Sequence, residues 1–108
     1  MITNKKLLVF APHTDDGELG CGGSIAKFIE DGNRVMCVAF SIAEDSVPDG
    51  FAKDSLAIEF TEAMLTLGLQ KEDIQYFRFR VRHFPELRQD ILQTMIDLRK
   101  SFNPDLVF

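Results

Sequence analysis

Residues 6–11 read KLLVFA, a continuous apolar run near the start of the chain. A short run of this kind favours a β-strand that is buried on both faces, as strands are in a parallel sheet. Residues 35–40, which read VMCVAF, favour a second such strand. Helices are predicted over residues 24–31, with Ser24 as N-cap, and over residues 54–67. Strands that alternate with helices predict a Rossmann-like α/β fold, a parallel sheet built from right-handed βαβ units with flanking helices.

The second half of the chain continues this alternation. Residues 74–81 predict a third strand in which phenylalanines and arginines alternate, so that one face is apolar and the other charged. A third helix is predicted from Pro85 until Asn103-Pro104, and residues 105–108 predict the beginning of a fourth strand. A buried parallel strand needs a neighbour on each side to satisfy its backbone. Residues 1–108 are therefore interpreted as the N-terminal part of a single domain, truncated at its C-terminal side.

Composition narrows the class of protein. The 108 residues include 12 Lys+Arg and 17 Asp+Glu, a net charge of −5, and 45% are hydrophobic. This is too apolar for a disordered chain and too acidic for a general nucleic-acid binder. No apolar run is long enough to span a membrane or to form a signal peptide. The two cysteines, Cys21 and Cys37, form no C-x-x-C motif, which favours a reduced, cytoplasmic setting.

Residues 12–18, which read PHTDDGE, contain four ionisable side chains and follow the first strand directly. Open α/β sheets place their ligands at the carboxyl ends of the strands. Three carboxylates this close repel one another unless a cation neutralises them. His13 and Asp16 are predicted to bind Zn²⁺ or another divalent metal, with Asp15 within reach of a metal-bound water as general base. The alternative is a solvated acidic loop that caps a helix.

Residues 12–16 resemble the (A/P)-H-P-D-D motif of the LmbE-like (PIG-L) metal-dependent de-N-acetylases. Residues 18–25, which read ELGCGGSI, are similar to the Gly-rich segment that leads into the first helix of bacterial members. Residues 59–68 fit the family's E-x-x-x-A-x-x-x-L-G helix, and residues 104–107 fit its P-D-L-V strand. The resemblance thus extends over nearly the whole chain.

The resemblance implies a role for each matching residue. His13 and Asp16 would be metal ligands, Asp15 the general base, and the substrate an N-acetylglucosamine-type sugar conjugate. Thr14 stands where the family has Pro, which removes no ligand. The family's third ligand is a His in an H-x-x-H-type segment beyond the fourth strand, which would lie after Phe108. The chain alone is therefore predicted to have little or no deacetylase activity.

Three further residues are candidates for substrate binding. Arg80 and Arg82 belong to an arginine-rich stretch that is interpreted either as a clamp for phosphate or carboxylate or as a solvated strand face. Glu44 lies in the loop after the second strand, where it would bond sugar hydroxyls or simply contact water. His83, the only other histidine, is interpreted as a solvent-facing loop residue rather than a ligand.

Other functions were weighed against hydrolysis. The glycines between residues 17 and 23 do not complete G-x-G-x-x-G, because Ile25 stands at the last glycine position, and Ser24 is not in a nucleophile elbow. Cys21 is a minor candidate as a soft metal ligand, whereas Cys37 is expected to pack in the core. The runner-up function is a non-catalytic α/β module that binds a sugar, a nucleotide or a partner subunit. Self-association into a homo-oligomer remains open.

Overall fold

The computed structural model describes residues 2–12, 22–42, 49–50, 52, 55–80 and 83–108. The strands in these ranges are β1 (Lys6–Ala11), β2 (Arg34–Ala39), β3 (Ile74–Tyr76) and β4 (Leu106–Val107). The α-helices are α1 (Gly22–Glu30), α2 (Ser55–Leu67) and α3 (Phe84–Phe102), and a 3₁₀ turn at Lys71–Asp73 precedes β3.

The four strands form one parallel sheet in the order β3-β2-β1-β4. The two continuous apolar runs are the central strands, and they pair along their full length, from Lys6 opposite Arg34 to Ala11 opposite Ala39. This confirms the predicted Rossmann-like α/β fold. The central position explains why both faces of these runs are apolar, since each face is covered by a helical layer.

Alternate residues of the central strands supply two cores. On one face, Leu7 and Val9 pack with Ile25 of α1 and with Phe60 and Met64 of α2. The opposite face of the sheet packs against α3. There, buried side chains of both central strands meet the last turns of that helix; they are Leu8, Met36, Val38, Leu98 and Phe102. The helices therefore hold β1 and β2 in place from both sides, and Cys37 lies in the first core, as expected.

Two predicted boundaries are wrong by more than one residue, and β2 is shifted by one residue, from 35–40 to Arg34–Ala39. The first helix begins at Gly22, so Ser24 lies inside it and is not the N-cap. Gly22 and Gly23, which begin the helix, have low helix propensity, so local preference favours a later start than the one observed. Regular β3 pairing ends at Tyr76, because its partner β2 ends at Ala39. Beyond that point the chain still follows β2, with the Phe79 N–H donating to the Phe40 carbonyl at 3.1 Å.

Gly68, the last residue of the E-x-x-x-A-x-x-x-L-G pattern, is needed for the backbone conformation at the end of α2. It ends α2 with φ +107°, a backbone conformation that side-chain-bearing residues rarely adopt, and an added Cβ would lie 3.3 Å from Cγ2 of Ile29. We expect Gly68→Ala to lower the free energy of unfolding by about 2 kcal/mol, measured by urea denaturation.

Gly32→Ala is the matched control for this prediction. Gly32 also has positive φ, +90°, but nothing lies within 4 Å of its added Cβ. Gly32→Ala should therefore lower the free energy of unfolding by less than Gly68→Ala does, because only backbone strain contributes to it. If both variants lost the same free energy of unfolding, the contact with Ile29 would contribute nothing. If Gly68→Ala were as stable as the parent, neither the contact nor the positive φ would matter at this position.

None of the helices in the described ranges is both long enough and apolar enough to span a membrane.

Candidate active site at the carboxyl edge of the sheet

Three segments of the chain leave the sheet side by side at its carboxyl edge. β1 ends at Ala11, whose carbonyl accepts a hydrogen bond from Phe40 N–H at 3.0 Å. The Ala39 carbonyl accepts one from Phe77 N–H at 2.8 Å, which holds the continuation of β3 against the end of β2. The segment that begins at Pro12 therefore starts directly beside the end of β2, with the continuation of β3 on the far side of β2. Open α/β sheets bind their ligands at this edge.

Most of the predicted site residues lie outside the described residues. These are the predicted ligands His13 and Asp16, the predicted general base Asp15, and the substrate-binding candidates Glu44 and Arg82. Cys21 also lies outside them. The structure does describe the residues that precede them. His13 stands two positions after Ala11, the last residue of β1, and Glu44 stands two positions after the buried Ile42.

Arg80 and His83 are described, and a backbone hydrogen bond joins them: the His83 N–H donates to the Arg80 carbonyl at 2.9 Å, directly before α3. Both side chains are exposed, and Nδ1 of His83 lies 3.2 Å from Oε2 of Glu86. The solvent-facing interpretation of His83 agrees with this exposure. The predicted alternation is also confirmed in the described part, since Phe77 and Phe79 are half-buried while the arginines beside them are exposed.

Four phenylalanines form a continuous aromatic cluster beneath this edge. The ring of Phe40 lies 5.4 Å from that of Phe10, 6.3 Å from that of Phe77 and 6.4 Å from that of Phe79, and the last two are 6.2 Å apart. These centroid distances are typical of favourable aromatic pairs. The cluster joins the carboxyl ends of β1 and β2 to the continuation of β3, and its members Phe10 and Phe77 pack against the core on the α3 face of the sheet. Sequence reasoning did not find it, although a phenylalanine near the end of each of three predicted strands was an available signal.

The opposite, amino edge of the sheet carries an ion pair that serves the fold. Arg34 at the start of β2 donates to both carboxylate oxygens of Asp73, at 2.7 and 3.1 Å. Asp73 is only 2% exposed. Its hydrogen bonds and negative charge raise the pKa of Arg34 above the ordinary value. The pair ties β2 to the 3₁₀ turn before β3, and because it lies at the wrong end of the strands, it is not part of the candidate site.

Loss of this pair should destabilise the protein. In Asp73→Asn, a neutral amide replaces a buried carboxylate that accepts two hydrogen bonds from a guanidinium, and we expect the free energy of unfolding to fall by about 2 kcal/mol. Urea denaturation measures the change. The control is Lys27→Met, which removes the i,i+4 pair that the exposed Lys27 side chain makes with Asp31 at 3.2 Å and should cost about 0.5 kcal/mol or less. A cost for Asp73→Asn as small as the control's would contradict the structural role.

The model of the family described as PIG-L, GlcNAc-PI de-N-acetylase, matches residues 8–108. The chain belongs to the PIG-L family. The match includes residues 12–18 at the end of β1, so the resemblance seen in the sequence is confirmed.

Two solved structures show the same fold as this PIG-L chain. One is the conserved protein TT1542 from Thermus thermophilus, with 32% identity and a TM-score of 0.72 over 96% of this chain and 45% of that one. The other is the N,N'-diacetylchitobiose deacetylase from Pyrococcus horikoshii in complex with its inhibitor MPG. It has 28% identity and a TM-score of 0.67 over 96% of this chain and 40% of that one. The chain thus spans less than half the length of either structure.

Within the described residues of this PIG-L chain, no group of three or more His, Cys, Asp or Glu side chains is arranged to hold a metal ion. The motif at residues 13–16 lies outside that search.

Proposed function

We propose that the chain is the N-terminal part of a single metal-dependent de-N-acetylase domain. Its substrate would be an N-acetylglucosamine-type sugar conjugate, hydrolysed to a free amine and acetate. The observation that carries the proposal is the position of residues 12–18 in a PIG-L chain, directly after the central strand β1 at the carboxyl edge. The deacetylase named for the similar Pyrococcus horikoshii structure supports the same reaction class.

The donor set of the motif fits a divalent metal. His13 offers an imidazole nitrogen and Asp16 a carboxylate oxygen, the ligand types that suit Zn²⁺. A bound divalent ion would supply Lewis acidity to the acetyl carbonyl and to the attacking water. A catalytic zinc site uses three protein ligands, so these two residues alone would bind the metal weakly. The third ligand would come from polypeptide beyond this chain.

We assign to Asp15 the role of general base, which takes a proton from the attacking water. Its carboxylate accepts a proton from the water as the water oxygen bonds to the acetyl carbon, and breaking the C–N bond then releases the amine, which takes up a proton. A general base is useful only within hydrogen-bond reach of the water, and the position of Asp15 between His13 and Asp16 is suited to that.

Arg80, Arg82 and Glu44 are assigned to the sugar conjugate. Strands in a sheet are about 4.8 Å apart, so the continuation of β3, two strands from β1, lies roughly 10 Å from the line of β1. Arg80 in that continuation would therefore contact a distal group of the substrate and not the acetyl group. Glu44 follows β2, the strand next to β1, and would accept hydrogen bonds from sugar hydroxyls.

The test compares the chain alone with a chimaera in which it replaces the matched segment of the Pyrococcus horikoshii deacetylase. Both are incubated with Zn²⁺ and N,N'-diacetylchitobiose, and released acetate is measured. We expect acetate release by the chimaera and little or none by the 108-residue chain, because two ligands alone would hold the metal too weakly. Equal activity of the two proteins would contradict the assignment of an incomplete site.

A further inference from the structure

The chain's one tyrosine lies at the carboxyl edge of the sheet. Tyr76 is the last residue of β3 and is 41% exposed. The other ten aromatic residues are phenylalanines, and the two nearest to it in the chain, Phe77 and Phe79, are half-buried in the aromatic cluster. The Tyr76 side chain, in contrast, makes no ring contact and no hydrogen bond with the described part of the chain.

The last residues of three neighbouring strands form one row across this edge. Ala11 is in register with Ala39, and Ala39 is in register with Tyr76. Both alanines belong to the core on the α1 and α2 side of the sheet, and Ile74, two positions before Tyr76, packs against that core. Since side chains two positions apart in a strand share a face, the Tyr76 ring lies on this side too. The row therefore consists of two methyl groups with an aromatic ring at one end.

The catalytic motif stands in the connection that leads to this same face. Residues 12–18 follow Ala11 and precede α1, which packs on the face that carries the row. Two strand spacings of about 4.8 Å put Tyr76 roughly 10 Å from Ala11. This separation is longer than one pyranose ring. A sugar whose acetyl group is held at the motif would therefore reach Tyr76 only through a second ring.

We propose that Tyr76 is a specificity-determining residue, a platform on which the second ring of the sugar conjugate stacks. The flat face of the phenol ring would pack against the C–H groups of that second ring, while the hydroxyl at its tip stays in water. Arg78 and Arg80 follow at alternate positions and are exposed, so the strip from Tyr76 to Arg80 combines one apolar ring with two guanidinium groups. An apolar surface with a few polar groups is the usual composition of a ligand site. This inference rests on the proposed de-N-acetylase, because it concerns the far end of that enzyme's substrate.

The fold itself does not depend on an aromatic side chain at this position. Much of the Tyr76 ring is exposed, and β3 is held in place by its pairing with β2 and by Ile74. We therefore expect Tyr76→Ala to stay folded, which circular dichroism checks. A change in sugar binding by this variant then reports on the ring and not on a loss of structure.

Tyrosine fluorescence tests the proposal directly, because the chain has no tryptophan and Tyr76 is its one tyrosine. The 108-residue chain is titrated with N,N'-diacetylchitobiose, which has two rings, and with N-acetylglucosamine, which has one. We expect a saturable change in fluorescence with the two-ring sugar and a dissociation constant at least 10-fold higher for the one-ring sugar.

Variants of the chain are compared by calorimetric titration with N,N'-diacetylchitobiose. Tyr76→Ala should bind it at least 10-fold more weakly, whereas Tyr76→Phe, which keeps the ring, should bind it as the parent does. The matched control is Leu92→Ala, which removes a 49% exposed apolar side chain from α3 on the opposite side of the sheet and should leave binding unchanged.

Two results would overturn the proposal. They are a folded chain whose fluorescence does not respond to N,N'-diacetylchitobiose, and a Tyr76→Ala variant that binds this sugar as the parent does. In the chimaera, Tyr76→Ala should raise KM for N,N'-diacetylchitobiose at least 10-fold and leave kcat unchanged. Acetate release with an unchanged KM would remove the platform and leave the de-N-acetylase. Binding that depends on Tyr76 without acetate release would support the platform and count against the hydrolase.

Discussion

In the chimaera with the Pyrococcus horikoshii deacetylase, Asp15→Asn is expected to lower the rate of acetate release by about 10²- to 10⁴-fold, the range typical of general-base catalysis. An amide nitrogen and oxygen keep the size of the side chain but cannot accept the proton that the attacking water must lose. Since Asp15 is not assigned as a ligand, the metal content of the variant should remain that of the parent protein. Acetate release and elemental analysis measure the two quantities on the same sample.

Asp90→Asn is the control for this change, because it removes a carboxylate that lies exposed on α3. Its turnover should equal that of the parent. If Asp15→Asn also turned over at the parent rate, Asp15 would lose its role. If it lost metal together with activity, the residue would be a ligand and not the base.

Asp16→Ala is expected to abolish metal uptake and, with it, acetate release. The change removes one of the two ligands that this chain is proposed to supply, and the methyl group of alanine offers no donor atom in its place. Zn²⁺ titration followed by elemental analysis of the chimaera should show at least a 10-fold loss of affinity. His13→Ala should give the same result, because the two side chains would bind one ion.

This pair of variants also separates the two classes of function. A non-catalytic module that binds a sugar, a nucleotide or a subunit has no need of the metal, so Asp16→Ala would leave its metal content and its ligand binding unchanged. Unchanged metal content in Asp16→Ala would therefore remove the hydrolase proposal. The urea stability of each variant serves as the check that a loss of metal is not a loss of fold.

Much of the fold could be predicted because its signals are local. The KLLVFA run gave β1 with the observed bounds, and α2 differs from the prediction by one residue at its start. The start of α1 was missed because Gly22 and Gly23 have low helix propensity and yet belong to the helix. The length of β3 was missed because the end of β2 limits the pairing.

The candidate site, like the fold, could be predicted from the sequence only in part. The HTDD motif and its place after a strand are visible in the sequence, since both are matters of residue type and order. The aromatic cluster under the carboxyl edge was not visible, because its rings come from three segments that only the sheet brings together.

The sequence by itself determined the parallel α/β class, the approximate course of the helices and strands, and the place of the PHTDDGE segment directly after β1. Periodicity and residue order are sufficient for these, because each depends on neighbours within a few turns or one strand. Only the tertiary structure decided the strand order, the Arg34–Asp73 pair across 39 positions, and the contacts among the four phenylalanine rings. Contacts between distant segments have no periodic pattern in the chain, and they arise only when packing selects which surfaces meet.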